Sequence, residues 1–472
     1  MADANAPRPQ SRADAVAMIA ARLERLPFTR YQFTLLAVIA TAWLFDSIDL
    51  GALTFLLGSI RADFHLSTTA AGALSSMSFL GMCIGAALAG MAADRFGRKS
   101  VFQVSMLFWG AGSILCGISQ NIDMLMVARA IVGFGMGMEF PIAQSIASEL
   151  VPARHRGRTL AVLEGFWPLG FIAAGLIALK LLPNVGWRWV FVAEGLPAFF
   201  VFVVRRTIPE LPRWLVDHGD YLEAEETMLD IERKVEGYLV AKGKKLPPPE
   251  RTEAKKGDPR ARWTVGDLWT KRYRRSTIML WSLWFFALLG YYGLTTWLSA
   301  LLQQSGYSVT RSVEYTLLIS LAGIPGFIIA SWLIELVGRR TLCVVTLLGG
   351  AGSAYLYGTA SDLHHLIGFG LIMQFFLFAM WSVLYAYTAE LYPTHARATG
   401  AGFASASGRL GSLIAPVVVG LILPHVGQSG VFALGAASFV LAAIAVLIFG
   451  LEPKGKTVEE IAPTGTIQEE GR

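Results

Sequence analysis

The sequence contains twelve long runs of apolar residues, which restrict its fold more than any other feature. A helix needs about 17 to 25 such residues to cross a bilayer. Only 16% of all residues are charged, against roughly 25% in soluble domains, and a membrane β-barrel would show ~10-residue alternating segments instead. We therefore predict an all-α membrane protein with twelve transmembrane helices. The runs cover residues 32–58, 71–93, 101–119, 124–148, 160–182, 188–204, 276–303, 313–336, 341–360, 364–389, 399–424 and 429–450.

Basic residues occur mainly in alternate connections between these runs. Counted from a cytoplasmic N-terminus, the outer loops hold little more than Arg61, Arg188 and Arg311. Lysine and arginine accumulate on the cytoplasmic side of membrane proteins, so we predict that both termini are cytoplasmic. Because the positive charges are confined to these loops, the net charge of +6 does not indicate a nucleic-acid partner. The lipid bilayer is the partner that the composition requires.

One long polar stretch separates the sixth run from the seventh. Its segment Asp220–Val240 is charged and has helical periodicity, whereas LPPPE at Leu246–Glu250 cannot be helical. We predict short helices and a flexible linker that acts as a spacer; binding of its basic cluster to anionic lipid headgroups is the alternative. The predicted organisation is an N-terminal segment (1–30), a six-helix bundle (31–204), a cytoplasmic loop (205–275), a second six-helix bundle (276–451) and a cytoplasmic tail (452–472).

The two halves of the chain repeat each other at an offset of 241 residues. ADRFGRK after the second run matches IELVGRR after the eighth, and SELVPARHRG after the fourth matches AELYPTHARA after the tenth. Repeated six-helix units are typical of two-halved secondary transporters. Charges at these helix ends can pair across the halves and hold the inner side closed; simple anchoring of helix ends is the alternative. The gating candidates are Asp94, Arg95, Gly97, Arg98, Glu149, Arg156, Glu335, Arg339, Arg340, Glu390 and Arg397.

Two of these segments resemble known signatures. GMAADRFGRK (Gly90–Lys99) resembles the G-x-x-x-D-R-x-G-R-R signature of the major facilitator superfamily. PELPRWL (Pro209–Leu215) resembles the P-E-S-P-R-W-L segment of sugar porters and organic ion transporters, with Leu211 in place of serine. The resemblance covers nearly all of residues 30–452. It implies the major facilitator fold, a bacterial inner (cytoplasmic) membrane location, a functional monomer, and a transporter rather than an enzyme. We expect no cofactor and no metal.

Two acidic residues lie within the first apolar run. Asp46 and Asp49 are three residues apart and share a helix face. Two carboxyl groups close together in a low-dielectric environment are stable when at least one holds a proton, which suits a proton carrier. The alternative is that helix-end amides or an arginine satisfy both groups. The string resembles the D-x-x-D element of aromatic acid:proton symporters and, more closely, F-D-x-x-D-x-G of bacterial niacin transporters.

Two arginines lie within other runs. Glycines at 133, 135 and 137 follow Arg129 in the fourth run and allow close helix packing. The resemblance to proton-coupled sugar porters implies that Arg129 pairs with Asp49; a fixed structural counter-ion is the alternative. Arg409 lies near the middle of the eleventh run, which resembles that of organic anion, niacin and aromatic acid carriers. Its guanidinium can hold a carboxylate through two hydrogen bonds; the alternative is a protein acid, with candidates Glu139, Glu164 and Glu194.

Aromatic and amide side chains within the runs complete the predicted substrate site. They can stack on a flat ring while tyrosine and glutamine reach its polar edge; packing against helices or lipid is the alternative. Trp167 and Glu164 in the fifth run are further candidates. The predicted substrate residues are Arg409, Tyr291, Tyr292, Trp381, Tyr385, Gln374, Phe140, Gln144 and Trp167.

The resemblance implies a proton-coupled importer of a small aromatic carboxylate that works by rocker-switch alternating access. Nicotinate is the first expectation, with benzoate-type or hydroxybenzoate-type acids as the alternative. A drug exporter would carry G-x-x-x-G-P-x-x-G-G in its fifth span, which LEGFWPLGFIAAG does not match. A non-transporting ligand sensor would need a large additional domain, and a sugar porter gives Arg409 no obvious role.

Overall fold

The computed structural model describes residues 12–152, 159, 162–249, 265–271, 273–392 and 397–454. Within them, eleven helical stretches are long and apolar enough to cross a membrane, and the last, Thr399–Phe449, covers two predicted runs. The predicted all-α, twelve-span fold is therefore confirmed. Spans one to ten are Arg30–Asp63, Thr68–Phe96, Arg98–Ile118, Ile122–Leu150, Val162–Val185, Trp187–Thr207, Arg274–Gln304, Val309–Val337, Arg339–Thr359 and Leu363–Glu390.

Helical geometry breaks between two spans and within three others. The helix Arg397–Phe449 loses helical geometry at Gly427, where φ is +65°, and its two parts are the eleventh and twelfth spans. The sixth span passes through a 3₁₀ turn at Leu196–Phe200. The seventh consists of Arg274–Thr295 and Leu298–Gln304, and the eighth of Val309–Leu321 and Gly323–Val337. Membrane helices tolerate such breaks where neighbouring helices or a cavity satisfy the freed backbone groups.

The two halves meet mainly along three pairs of spans: the first with the seventh, the second with the eleventh, and the fifth with the eighth. The second and eleventh spans are so close that a Cβ on Gly72 would lie 2.3 Å from the carbonyl oxygen of Pro416. The Ser76 hydroxyl donates to the Leu413 carbonyl at 2.7 Å. All these residues lie toward the end of the bundle that we predict faces outside. The halves are therefore packed together at that end.

A glutamate caps the third span at the opposite end of the bundle. Gly97 makes the preceding turn with φ of +87°, which favours glycine. The Glu210 carboxylate accepts hydrogen bonds from the backbone N–H groups of Arg98 at 2.9 Å and Lys99 at 3.3 Å. A carboxylate in this position satisfies amides that lack helical partners and interacts favourably with the helix dipole. The segment after the sixth span thus fixes the start of the third.

The C-terminal half repeats this cap. Gly338 makes the turn with φ of +99°, and the Glu452 carboxylate accepts from the backbone N–H groups of Arg339 at 2.9 Å and Arg340 at 3.0 Å. Glu452 follows Glu210 by 242 residues, one more than the offset of the sequence repeat. The internal repeat therefore extends beyond the membrane spans.

The helix Arg12–Glu24 is attached to the connection between the halves. Arg22 donates to Glu232 of the helix Tyr221–Val240 at 2.9 and 2.7 Å, and Arg25 lies 2.5 Å from the same carboxylate. Burial opposes ionisation of Glu232, but the hydrogen bonds from both arginines prevail and lower its pKa. Sequence reasoning treated these arginines as orientation signals only. The structure gives them a second role in docking the N-terminal helix.

Candidate functional site

The structure places Arg129 of the fourth span against Asp49 of the first. Both side chains are almost fully buried, and Arg129 Nη1 lies 2.7 Å from Asp49 Oδ1. The Ser113 hydroxyl donates to the other oxygen of Asp49. Arg129 Nε donates to Ser78 Oγ at 2.9 Å, and the guanidinium faces the Phe191 ring at 5.4 Å from its centroid. Both oxygens of Asp49 therefore have partners, and its charge is compensated.

Close packing of the second and fourth spans brings Ser78 to Arg129. A Cβ on Gly133 would lie 1.9 Å from the Ser78 carbonyl oxygen, and one on Gly137 would lie 2.3 Å from that of Met82. A side chain at either position would force the helices apart. The glycines that the sequence singled out therefore determine the position of the buried arginine.

Three more buried carboxyl groups lie in this half. Glu139 accepts from Trp109 Nε1 at 2.9 Å. Within the part of the chain that the structure describes, Asp46 Oδ1 and both oxygens of Glu194 have no hydrogen-bond partner. Burial of an unpartnered carboxylate is costly, so these groups are unusual in an apolar bundle. We refer to Asp46, Asp49, Arg129, Glu139 and Glu194 as the buried charge cluster.

A central cavity lies between the halves, with about 730 Å³ of empty space that includes open solvent. Both halves contribute to a wall that is mostly aromatic, with one basic and one acidic side chain. The lining residues are Phe79, Met82, Phe140, Glu164, Trp167, Pro168, Trp284, Leu288, Tyr292, Phe327, Phe378, Trp381, Tyr385, Ser405, Arg409 and Ser412.

Six predicted substrate residues line this cavity, namely Arg409, Tyr292, Trp381, Tyr385, Phe140 and Trp167. Three do not. Tyr291 lines a second cavity of about 370 Å³, because neighbouring residues on a helix point in different directions. Gln374 is 1% exposed and lines neither cavity. Gln144 lies behind the wall and donates to Glu164 at 3.3 Å.

Arg409 is only half-buried and projects into the cavity. Its guanidinium carbon lies 5.3 Å from the centroid of the Phe140 ring, a favourable cation–π distance. Among the described residues, no ion pair joins it to an acid, so the alternative partners Glu139, Glu164 and Glu194 are not used in this structure. The guanidinium therefore has donors available for a ligand.

Aromatic rings form a flat wall on the C-terminal side of the cavity. Trp381 and Tyr385 stack with centroids 5.8 Å apart and an interplanar angle of 25°. Trp284 meets Tyr385 edge-on at 5.3 Å and is held by a hydrogen bond from its Nε1 to Thr388 at 2.9 Å. Sequence reasoning missed Trp284, because tryptophan is common in membrane helices and no spacing singled it out. Such a wall is suited to a planar ring.

Tyr292 in the C-terminal half contacts the N-terminal half next to this wall. Its ring meets that of Phe79 in the second span with centroids 4.6 Å apart. Phe79, Tyr292 and Trp167 line both cavities. These three side chains therefore separate the central cavity from the smaller one.

The gating candidates form ion pairs within each half. Arg98 lies 3.4 Å from Asp94. Arg339 lies 2.7 Å from Glu335 and 2.8 Å from Glu390. Among the described residues these charges pair within their own halves. The halves are packed together at the other end of the bundle, so the network predicted to close this end is not formed in this conformation.

The other gating candidates have local contacts or fall outside the described residues. Arg95 faces the Phe96 ring at 5.4 Å, and Glu149 accepts from Ser145 at 3.3 Å. Arg340 Nη2 donates to the Leu447 carbonyl at 2.7 Å. Arg156 and the side chain of Arg397 lie outside the described residues. Within the described part of the chain, no group of His, Cys, Asp and Glu is placed to hold a metal ion.

Comparison with known proteins agrees with this arrangement. Residues 29–464 match the family model described as "Sugar (and other) transporter". The chain is 37% identical over 444 residues to the niacin transporter NiaP of Acinetobacter baylyi, covering 94% of this chain and 99% of that protein. It is 28% identical to the 4-hydroxybenzoate transporter PcaK of the same organism, covering 90% and 92%.

Solved structures show the same fold. The inward-open xylose transporter XylE from E. coli superposes with a TM-score of 0.70 at 20% identity, covering 91% of this chain and 99% of that one. The named relatives are transporters and not enzymes. This chain therefore belongs to the sugar (and other) transporter family of the major facilitator superfamily.

Proposed function

We propose that this transporter imports nicotinate together with protons. The observation that carries the substrate class is Arg409, a guanidinium in an aromatic cavity that has no acidic partner among the described residues. Bidentate hydrogen bonding by arginine matches a carboxylate, and the Trp381 and Tyr385 rings offer a stacking surface for the flat ring. The similarity to a niacin transporter supports nicotinate within this class.

We place proton coupling in the buried charge cluster. Protonation of Asp49 would weaken its ion pair with Arg129, and that change would alter the relative stability of the two conformations. Asp46 lies on the same helix and has a carboxyl oxygen without a partner, so it can hold a second proton or exchange one with its neighbours. The C-terminal half would thus bind the charged group of the substrate, and the N-terminal half would bind the protons.

The transport cycle alternates access to the central cavity. Carboxylate capture at Arg409 and protonation of the Asp46 and Asp49 pair permit the halves to rock about the cavity, and release follows when the acids lose their protons inside. Gating residues at the inner helix ends stabilise the outward-open state. In this proposal the protein is a monomer in a bacterial inner membrane, with both termini cytoplasmic.

Uptake into proteoliposomes tests this function directly. We expect labelled nicotinate to accumulate when an inward proton gradient is imposed, and to equilibrate only slowly without one. Unlabelled nicotinate should compete, whereas glucose should not. Absence of gradient-driven accumulation would contradict proton symport.

The similarity to a 4-hydroxybenzoate transporter favours a second candidate substrate class. If benzoate or 4-hydroxybenzoate accumulates and nicotinate does not, the mechanism stands and the substrate changes. If no carboxylate is transported, the alternatives are a drug exporter or a ligand sensor.

A further inference from the structure

We infer that Glu164 recognises the ring nitrogen of a pyridine carboxylate, so that the cavity reads both polar ends of the substrate. This inference rests on the proposed function, because it assigns the second end of a ligand whose carboxylate is bound by Arg409. It turns a general aromatic-acid site into one that distinguishes nicotinate from benzoate.

The central cavity contains two ionisable side chains of opposite type that do not meet. Arg409 and Glu164 both line it, yet none of the ion pairs within 4 Å joins them. An arginine and a carboxylate in one apolar cavity gain energy from pairing, so their separation leaves each available to a group on a ligand. A ligand with an acceptor at one end and a donor at the other complements both.

The fourth span contacts both groups. Phe140 lies against the Arg409 guanidinium, and Gln144 donates to Glu164 Oε1. These two residues are four positions apart and share a helix face, so their Cα atoms are separated by about 6 Å along the axis. Arg409 and Glu164 therefore contact successive turns of one helix.

Glu164 has unused hydrogen-bonding capacity. Its described hydrogen bond is the long one from Gln144, at 3.3 Å. An ionised carboxylate accepts at both oxygens and a protonated one can also donate. Aromatic side chains dominate the rest of the wall. A polar atom of the substrate is therefore the natural hydrogen-bond partner for the second carboxyl oxygen of Glu164.

A pyridine nitrogen fits this requirement through one shared proton. Either the ring is a pyridinium whose N–H donates to the Glu164 carboxylate, or Glu164 is protonated and donates to the ring nitrogen. The two arrangements contain the same atoms and differ only in the position of the proton. Benzoate has a C–H group at this position and can form neither hydrogen bond. A buried carboxyl group would then be left without its ligand partner.

The test compares ligands that differ in one ring atom. Inhibition of labelled nicotinate uptake is measured with unlabelled nicotinate, benzoate, picolinate and isonicotinate. On the wild-type protein we expect nicotinate to bind about tenfold to a hundredfold more tightly than benzoate, the range for a hydrogen bond to a charged group. Picolinate and isonicotinate, whose nitrogen is displaced, should fall between. Equal inhibition by nicotinate and benzoate would overturn the inference without any mutation.

Two variants separate the ends of the ligand. Glu164→Leu should reduce the preference for nicotinate over benzoate to within about twofold while benzoate affinity is retained, which also shows that the variant is folded. Arg409→Lys should weaken both ligands by a similar factor. Glu314→Gln serves as the control for charge removal, because Glu314 is partly exposed and pairs with Arg311 away from the cavity.

The outcomes also distinguish this inference from the function on which it rests. If the wild-type protein transports nicotinate but Glu164→Leu leaves the ratio unchanged, the role of Glu164 is wrong and the proposed function stands. If no carboxylate is transported, both fail.

Discussion

The two arginines within the membrane have opposite surroundings. Arg129 in the N-terminal half is fully buried and bound by Asp49, with a further hydrogen bond to Ser78. Arg409 in the C-terminal half is half-buried, faces an aromatic ring and the central cavity, and forms no ion pair among the described residues. Although the halves repeat each other in sequence, their intramembrane charges are not repeated.

This difference indicates a division of work between the halves. The charge of Arg129 is neutralised by Asp49 within the protein, so a change in the protonation of Asp49 changes the stability of the conformation that contains this ion pair. The charge of Arg409 is left to be neutralised by the carboxylate of a ligand. Sequence reasoning predicted an acidic partner for Arg129 and a substrate carboxylate for Arg409, and the surroundings of the two side chains agree with that difference.

The largest expected effect follows from removal of the compensated charge. Arg129→Leu would leave Asp49 buried without a cation, and we expect a loss of about 3–5 kcal/mol in stability together with loss of transport. Thermal unfolding in detergent measures the first effect. The double variant Asp49→Asn/Arg129→Leu should recover much of the stability but not the transport. A single variant as stable as the wild type would show that the pair is not required for folding.

A second substitution keeps the shape of the pair and removes its ability to titrate. Asp49→Asn mimics the protonated acid, so we expect gradient-driven accumulation of nicotinate to be abolished while exchange of labelled for unlabelled substrate continues. Both are measured in the same proteoliposomes. Retained uphill uptake would exclude Asp49 as a proton carrier.

Removal of the uncompensated charge should spare the fold and weaken binding. For Arg409→Ala we expect a tenfold to hundredfold lower affinity for nicotinate, the range for a lost charged hydrogen bond, with an almost unchanged melting temperature. Arg311→Ala, which removes an exposed arginine, is the matched control. Unchanged affinity would contradict the carboxylate clamp, and a large loss of stability would contradict the comparison between the two arginines.

The smallest effect concerns a third arginine–carboxylate contact, which lies outside the membrane. Glu232→Gln should loosen the docking of the helix Arg12–Glu24 at a cost of about 1.5 kcal/mol, the lower end for a hydrogen bond to a charged group, because glutamine keeps one acceptor. Hydrogen exchange of that helix should increase, since the nearly buried Glu232 accepts from both Arg22 and Arg25. The pKa of Glu232 lies below its ordinary value of 4.5. Its contribution is therefore complete above about pH 4.5 and is lost as the pH falls through the lowered value. Protection factors, which correct for the intrinsic pH dependence of exchange, that stay constant in this range would argue against the contact.

Sequence predicted the features that repeat or that break a pattern. Long apolar runs gave the spans, and charges within those runs drew attention to Asp49, Arg129 and Arg409. Side-chain direction was less accessible: Tyr291 and Tyr292 are adjacent, yet only Tyr292 reaches the central cavity. Gln374 was polar within a run but is enclosed by packing, and Trp284 gave no signal against the other tryptophans.

Contacts between distant segments were the least predictable. The attachment of Arg22 to Glu232 joins residues 210 positions apart, and neither segment has an apolar run that would indicate an interface. The contact between Gln144 and Glu164 joins residues only 20 positions apart, but it depends on how the fourth and fifth spans are placed. The ion pairs of Arg98 and Arg339 form within one half, with acids of the same or a neighbouring helix.

The paired glutamate caps bear on the length of the unit that was duplicated to give the two halves. Glu210 and Glu452 each lie just after the last span of their half, and each closes the same turn at the start of a middle helix. A duplication that copied only six membrane helices would have left one copy without its cap. The duplicated unit therefore continued past its sixth helix into the segment that follows it, and each copy contained its own glutamate cap.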